Sequence, residues 1–413
     1  MSNYLPEALV MEILLLLPTT TLVRFTTVCK VWNAMIKSHT FISLHFQRPL
    51  SHPSSPNLLI QNNNAQYSLY SYEVDGFHKI GKFEHTFLVR LPNLFFVGTI
   101  NGLVCLSDHC FNYKNDIILW NPLIKRHVQL PVPHFTFETL CGVYISTLGF
   151  GFDSKKNDFK VVRICYVSFK APPKVELYSL NEGSWKVIDA SYVELNAVYS
   201  GSQCVLHGNV HWLAYKDMPS DLFQQNYILM FDVVEEKFNT IDYPKGLGTT
   251  SNLDIFVIEY CLSLLEYVFD GTTIACNIWM KGETWSKTFH INFEETINEL
   301  STMDGQIFRF GVEKIWGLGT SGEVLVLPIS YHRPDDGIVS SYIYSFDLKT
   351  KKIIKVLRER IKPTWFHASN FTPSLALFDT KSNEVSCTLR KGKTKNFITN
   401  AWHHALLYLF GRK

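Results

Sequence analysis

Two rhythms of apolar and polar positions divide the chain. Up to residue 46 the apolar residues recur at helical spacing; beyond it they come in short alternating runs. A first helix is predicted from Pro6, whose missing N–H costs nothing at a helix start. Glu7 follows, well placed against the positive end of the helix. Ala8 to Leu17 is apolar except for Glu12, and Pro18 ends the run. Thr19, Thr20 and Thr21 offer caps for a short second helix carrying Leu22, Val23 and Phe25. A third helix covers Lys30 to Lys37, with Val31, Trp32, Met35 and Ile36 on one stripe.

A helix that is apolar almost all round has to be buried almost all round. Three helices in fewer than about 50 residues bury too little surface to manage that alone. Cover must come from the remainder of the chain or from another protein, and the pattern leaves both open.

The spacing of particular residues narrows this choice. Leu5-Pro6-Glu7, Glu12-Ile13-Leu14, Leu17-Pro18, Leu22-Val23-Arg24-Phe25, Val28-Cys29-Lys30, Trp32 and Phe41 stand in the order and at the intervals of the F-box motif. The segment resembles that family across about 40 residues. The resemblance implies a Skp-type adaptor as partner and, through it, a cullin. It also implies that Leu5, Pro6, Ile13, Leu17, Pro18, Leu22, Val28 and Trp32 form or support the adaptor interface.

Residues 47–94 read as a polar linker, rich in Pro, Ser and Asn, leading into first strands. From 95 to 413 no long helical period occurs. Instead a strand, a polar turn and a second strand recur at intervals of roughly 40 to 65 residues, a beat comparable to propeller blades. The pairs are Ile118–Pro122 with His127–Pro131, Val175–Ser179 with Trp185–Ile188, Ile228–Asp232 with Phe238–Ile241, Ile278–Met280 with Trp285–Lys287, and Tyr344–Asp347 with Ile353–Val356. Further strands are expected at Gly102–Leu106, Asn209–Leu213 and Glu323–Leu327. The fold class is therefore α+β multidomain: a small N-terminal three-helix unit, then a mostly antiparallel all-β domain. A propeller suits the beat because radial repetition leaves few free strand edges; an irregular β-sandwich pair is the competing arrangement. Trp120, Trp185, Trp212, Trp279 and Trp285 are expected to pack between blades.

The repeats resemble the F-box-associated, kelch-like domain of plant F-box proteins. The landmarks are Asn101–Cys105, Leu119–Pro122, Leu130-Pro131, Gly149–Asp153, Asn157–Val162, Val175–Leu180, Gly183–Lys186 and Phe231-Asp232. The resemblance implies the target-recognition subunit of a cullin-type ubiquitin ligase. Such a subunit does no chemistry itself and binds a protein to be ubiquitinated. S-locus F-box proteins belong to the same family, so a ribonuclease of self-incompatibility is one option for the target. Loops are the expected target surface, with Cys141–Ser146, Lys216–Gln225 and His332–Val339 as candidates.

Composition adds exclusions. Of 413 residues, 46% are hydrophobic and 18% charged, which excludes a disordered chain. A net charge of +2 gives no field for nucleic acid or an acidic membrane. The most basic run, Arg390 to Lys395, reads as a solvated turn. Nine cysteines without a Cys-x-x-Cys pair fit a reducing compartment, cytosol or nucleus. No basic region precedes an apolar stretch at the start, so no secretory leader is expected, and Ile13–Leu17 is too short to span a bilayer. His207 and His211 share a strand face but lack an evident third ligand; His403 and His404 are isolated. Gly317–Gly322 has the spacing of a dinucleotide loop without a following helix, and reads as a turn. No catalytic residue, metal or cofactor is expected. A propeller enzyme, or a scaffold with an unrelated helical partner, is the alternative, against which the F-box motif argues.

Overall fold

A computed structural model describes residues 6–378 except 48–56, 63–65, 74–75, 85–93, 109–114, 143, 168–171, 192–196, 216–224, 248–251, 270–273, 293–311, 318–321, 329–338 and 362–366. Four helices come first: α1 (Glu7–Leu15), α2 (Thr19–Phe25), α3 (Lys30–Ile36) and α4 (His39–Gln47). Three were expected, and α4 is the addition. Pro6 and Pro18 open α1 and α2 through their carbonyls, which accept from Leu9, Val10, Thr21 and Leu22 amides. The three threonines lie inside α2 and do not cap it. Among the described residues no helix is long and apolar enough to cross a membrane.

Among the described residues twenty-four strands follow, in six four-stranded antiparallel sheets. Blade 1 takes β1 (Asn57–Gln61), β2 (Gln66–Glu73) and β3 (Gly76–Glu84). Blade 2 is β4 (Phe95–Ile100), β5 (Leu103–Ser107), β6 (Ile117–Asn121) and β7 (Arg126–Gln129). Blade 3 is β8 (Ile145–Asp153), β9 (Asp158–Tyr166), β10 (Lys174–Ser179) and β11 (Ser184–Ile188). Blade 4 is β12 (Ala197–Leu206), β13 (Asn209–Tyr215), β14 (Gln225–Asp232) and β15 (Lys237–Asp242). Blade 5 is β16 (Asn252–Ile258), β17 (Cys261–Phe269), β18 (Ile274–Lys281) and β19 (Trp285–Asn292). Blade 6 is β20 (Val312–Gly317), β21 (Glu323–Pro328), β22 (Val339–Asp347) and β23 (Lys352–Ile361). The last strand, β24 (His367–Phe371), pairs with β1 as the innermost strand of blade 1. The boundary expected at residue 95 thus falls inside the ring: residues 57–84 supply three strands of the closing blade.

The five recurring hairpins are the outer strand pairs of blades 2 to 6. Three of their turns, in blades 2, 4 and 6, share one chemistry. Asn121 Oδ1 accepts from the Leu123 amide at 3.1 Å. Asp232 Oδ1 accepts from the Val234 and Glu235 amides, and Asp347 Oδ1 from those of Lys349 and Thr350. The residue before the next strand is left-handed at Lys125, Glu236 and Lys351. A short acceptor that closes the turn on itself explains why Asn or Asp ends these strands. Tryptophans then join the blades. Trp185 Nε1 donates to the Pro131 carbonyl at 2.8 Å, reaching from blade 3 to the end of blade 2. Trp285 Nε1 repeats this from blade 5 to Asp242 of blade 4 at 2.7 Å.

Blades 3 and 4 approach most closely at β8. A Cβ added at Gly149 would overlap the Trp212 ring. Nearby, a buried Lys160 Nζ bonds Asp153 Oδ2 at 2.7 Å in its own blade, and the Val233 carbonyl at 3.0 Å and Glu236 Oε1 at 2.9 Å in the next. At the far end of β9, Arg163 donates to Glu176 at 2.6 Å, the Phe135 carbonyl at 2.7 Å and Tyr144 Oη at 2.8 Å. Both buried cations are fully engaged, as burial of charge demands. Asp108, at the end of β5, is not: its Oδ2 is buried without a hydrogen-bond partner. Burial, then the Asp116 carboxylate, push its pKa up to about 7.

Two outcomes are expected. Gly149→Ala destabilises the protein by about 1–3 kcal/mol through overpacking, read as a lower Tm in thermal unfolding. Asp108 holds its proton more tightly folded than unfolded, so its share of stability falls as pH rises from its ordinary 3.8 towards about 7 and stays low above. Asp108→Asn therefore raises Tm at pH 8, and the gain shrinks as pH is lowered towards 4; an equal gain at every pH would show that titration is not its cause.

Candidate adaptor and target surfaces

The helical unit divides its apolar side chains between two sides. Leu14, Leu22, Met35, Ile36 and Phe41 are buried and belong to one apolar cluster with Leu103, Leu119, Phe150 and Phe159 of the ring. Helix α4 makes the junction. The Phe46 ring lies 5.1 Å from that of Phe152, and Asn157 Nδ2 donates to Ser43 Oγ at 3.4 Å. His45 Nε2, on the same helix, donates to the Leu17 carbonyl at 3.1 Å and ties α4 back to the end of α1.

The other side is left bare. Leu9, Ile13 and Leu16 follow one another at intervals of four and three along α1 and its end, so they share one face. They are 46%, 48% and 63% exposed. Val28 and Val31, each 59% exposed, add a second apolar edge at the start of α3. Scattered single apolar residues on a surface are ordinary, but six in one unit of four short helices, Leu44 of α4 included, are more than that.

The expected site residues sort accordingly. Ile13, Val28, Pro6 and Pro18 are exposed, and Trp32 is half-buried with its ring 5.3 Å from that of Phe25. Leu17 is partly buried against the shared cluster. Leu22 is fully buried, so it shapes the unit from within and cannot touch a partner. Leu5 lies outside the described residues. Leu9, Leu16 and Val31 are the exposed positions that motif matching passed over; helical spacing from Ile13 would have found Leu9 and Leu16.

Strand alternation gives the ring two unlike faces. The helices sit where inner strands end, beside the β8–β9 turn. The opposite face carries the β5–β6, β9–β10, β13–β14, β17–β18 and β21–β22 connections and those between blades. All three loops singled out from the sequence join strands at that opposite face. Lys216–Gln225 and His332–Val339 fall largely outside the described residues, whereas Cys141 is exposed.

Hydrogen bonds brace the connection from β7 to β8. The His134 amide donates to Glu176 Oε2 at 2.8 Å, and Arg163 holds the Phe135 carbonyl. Thr139 Oγ1 donates to the His134 carbonyl and accepts from the Thr136 amide. Above this polar base, Val132 is 76% exposed and Phe137 44%. A rigid loop presenting apolar tips suits recognition, since little ordering cost remains to be met on binding.

The histidines do not converge. His207 is exposed in the β12–β13 turn, while His211 is buried on β13, where desolvation lowers its pKa to about 4. Among the described residues no three His, Cys, Asp or Glu side chains come together as a metal site would need. His403, His404 and the basic run at 390–395 lie outside the described residues. Gly317 ends β20 and Gly322 precedes β21, while 318–321 lie outside the described residues.

Comparison with known proteins agrees with this division. The F-box domain profile matches residues 3–44, and that of the F-box associated beta propeller domain matches residues 54–388. The F-box protein CPR1 of Arabidopsis thaliana is 27% identical over 402 residues, covering 90% of this chain and 89% of that protein. The F-box/kelch-repeat protein At3g23880 of the same plant is 26% identical over 330 residues, covering 75% and 86%. Among solved structures, the apocarotenoid oxygenase of Synechocystis aligns at 10% identity and a TM-score of 0.39 over 75% of this chain and 74% of that one, too remote to carry an argument. Helical head and closed ring together place the chain in the F-box-associated β-propeller family of plant F-box proteins.

Proposed function

We infer that this chain is the target-recognition subunit of an SCF-type, cullin-based ubiquitin ligase. The observation that carries the reading is the bare apolar face of the helices. The chain's own ring covers the inner side of a unit matching the F-box and leaves Leu9, Ile13, Leu16, Val28 and Val31 uncovered. A Skp-type adaptor, itself bound to cullin, is the partner that resemblance to the F-box family supplies. Pro6 and Pro18 are exposed on the same unit, and the family resemblance assigns them to that interface together with Leu5.

The ring then holds the target. Its face away from the helices carries the longer connections, including the stiff loop with Val132 and Phe137. The chain does no chemistry in this reading. It raises the effective concentration of a target lysine near ubiquitin carried elsewhere in the complex. The target is a protein; a ribonuclease of the S-locus kind is an option supported by family resemblance alone. Free cysteines buried at Cys105, Cys165 and Cys276 support a reducing compartment, cytosol or nucleus.

Adaptor capture tests the reading. Ile13→Asp puts a charge at the centre of the bare face, and the loss of one such anchor is expected to weaken adaptor binding at least about tenfold. Thermal unfolding of the ring should stay unchanged. Undiminished capture of purified adaptor by the variant, measured by calorimetry or pull-down, would overturn the assignment of this surface.

A further inference from the structure

The segment after the ring-closing strand has a second task. Strand β24 completes its pairing with β1 at Phe371, so ring closure asks nothing more of the chain. Yet Ser374 to Phe378 turns in beneath the helices. The buried Asn121 side chain holds it: Nδ2 donates to the Ser374 carbonyl at 3.0 Å and to the Ala376 carbonyl at 2.9 Å. Ser374 Oγ donates to the Asn101 carbonyl at 2.6 Å. The backbones run so close that a Cβ at Gly102, where φ is +80°, would stand 2.7 Å from the Ser374 nitrogen.

Beyond this clamp, Leu375, Leu377 and Phe378 are buried in the cluster that also takes in Met35 and Ile36. Lys37 Nζ lies 5.5 Å above the Phe378 ring. Within this one cluster the helices meet the remainder of the chain at two places. One is α4 on blade 3, through Phe46 against Phe152; the other is the end of α3 on the strap, which blade 2 holds through Asn121. One point would leave a hinge, whereas two fix an angle.

We propose that Asn121 and Phe378 are positioning residues that lock the helices to the ring, and so select which lysines come within reach of ubiquitin. The last step rests on the ligase reading; the lock itself does not. Interdomain motion is the default for a small interface, and here a buried amide and an aromatic side chain remove it.

The test uses the full chain with Phe378→Ala, and Phe378→Leu as the conservative variant. Dye labels at Thr40 and Glu283 report the distance between helices and ring. With purified adaptor, cullin and ubiquitin-charged enzyme, self-ubiquitination sites are mapped by mass spectrometry. Phe378→Ala is expected to keep adaptor capture, broaden the distance distribution and add lysines that the parent leaves unmodified. Phe378→Leu should restore the narrow distribution and most of the parent pattern. Unchanged distances and an unchanged lysine pattern in folded Phe378→Ala overturn the proposal. Should that variant fail to fold, hydrogen exchange on the parent decides: α3, α4 and residues 374–378 open as one unit if the lock exists, and independently if it does not. If the parent captures no adaptor, the ligase reading falls, while the distance measurement still judges the lock.

Discussion

The pairing of β24 with β1 is the constraint on which the rest of the molecule depends. It joins nearly the two ends of the described chain in a single antiparallel register, Asn57 opposite Phe371 and Gln61 opposite His367. Without it blade 1 lacks its inner strand, and the ring has two open edges ready to pair with other chains. The separation in sequence is a smaller obstacle than it looks. Loop-closure cost grows with the logarithm of length, about 0.6 kcal/mol for each doubling. A modest gain from five residue pairs and the burial of Leu59, Ala368 and Phe371 can offset it.

Closure also settles what becomes of the apolar helices. Their surface exceeds what four short helices can hide among themselves. The ring takes one side, through Phe41, Phe46 and the shared cluster, and leaves the other exposed. Of the two kinds of cover that the sequence allowed, the ring supplies the first on one side of the unit. Leu22 marks the division: its motif position associates it with the adaptor, yet it is fully buried and acts by holding α2 in place.

Much of the ring was legible in the chain because its outer hairpins carry local signals. Asp232 and Asp347 close their turns on neighbouring amides, and Trp185 and Trp285 open the strands that follow. Such signals lie within a few residues of each other. Blade 1 was harder to read, because its fourth strand lies at the other end of the sequence and no local pattern announces that partner. Helix α4 was missed for another reason: His39 to Gln47 mixes Thr, Ser and His with Phe41 and Phe46, and its helical character is decided by the ring it rests on. On the candidate site, the motif located the unit but not its faces. Exposure of Leu9 and burial of Leu22 follow from packing, which spacing along one strand of sequence does not record.

The strap beneath the helices has a meaning for how the molecule is made. A ribosome delivers residues in order, so the helices emerge long before Leu375, Leu377 and Phe378. Until blades 2 and 3 are made, the newborn chain carries a greasy head with its inner side bare as well as its outer. A polypeptide cut short anywhere before Phe371 cannot close its ring, and one cut just after it never gains the lid over that head. Closure of the ring and concealment of the inner side of the helices thus fall to one short stretch, Phe371 to Phe378.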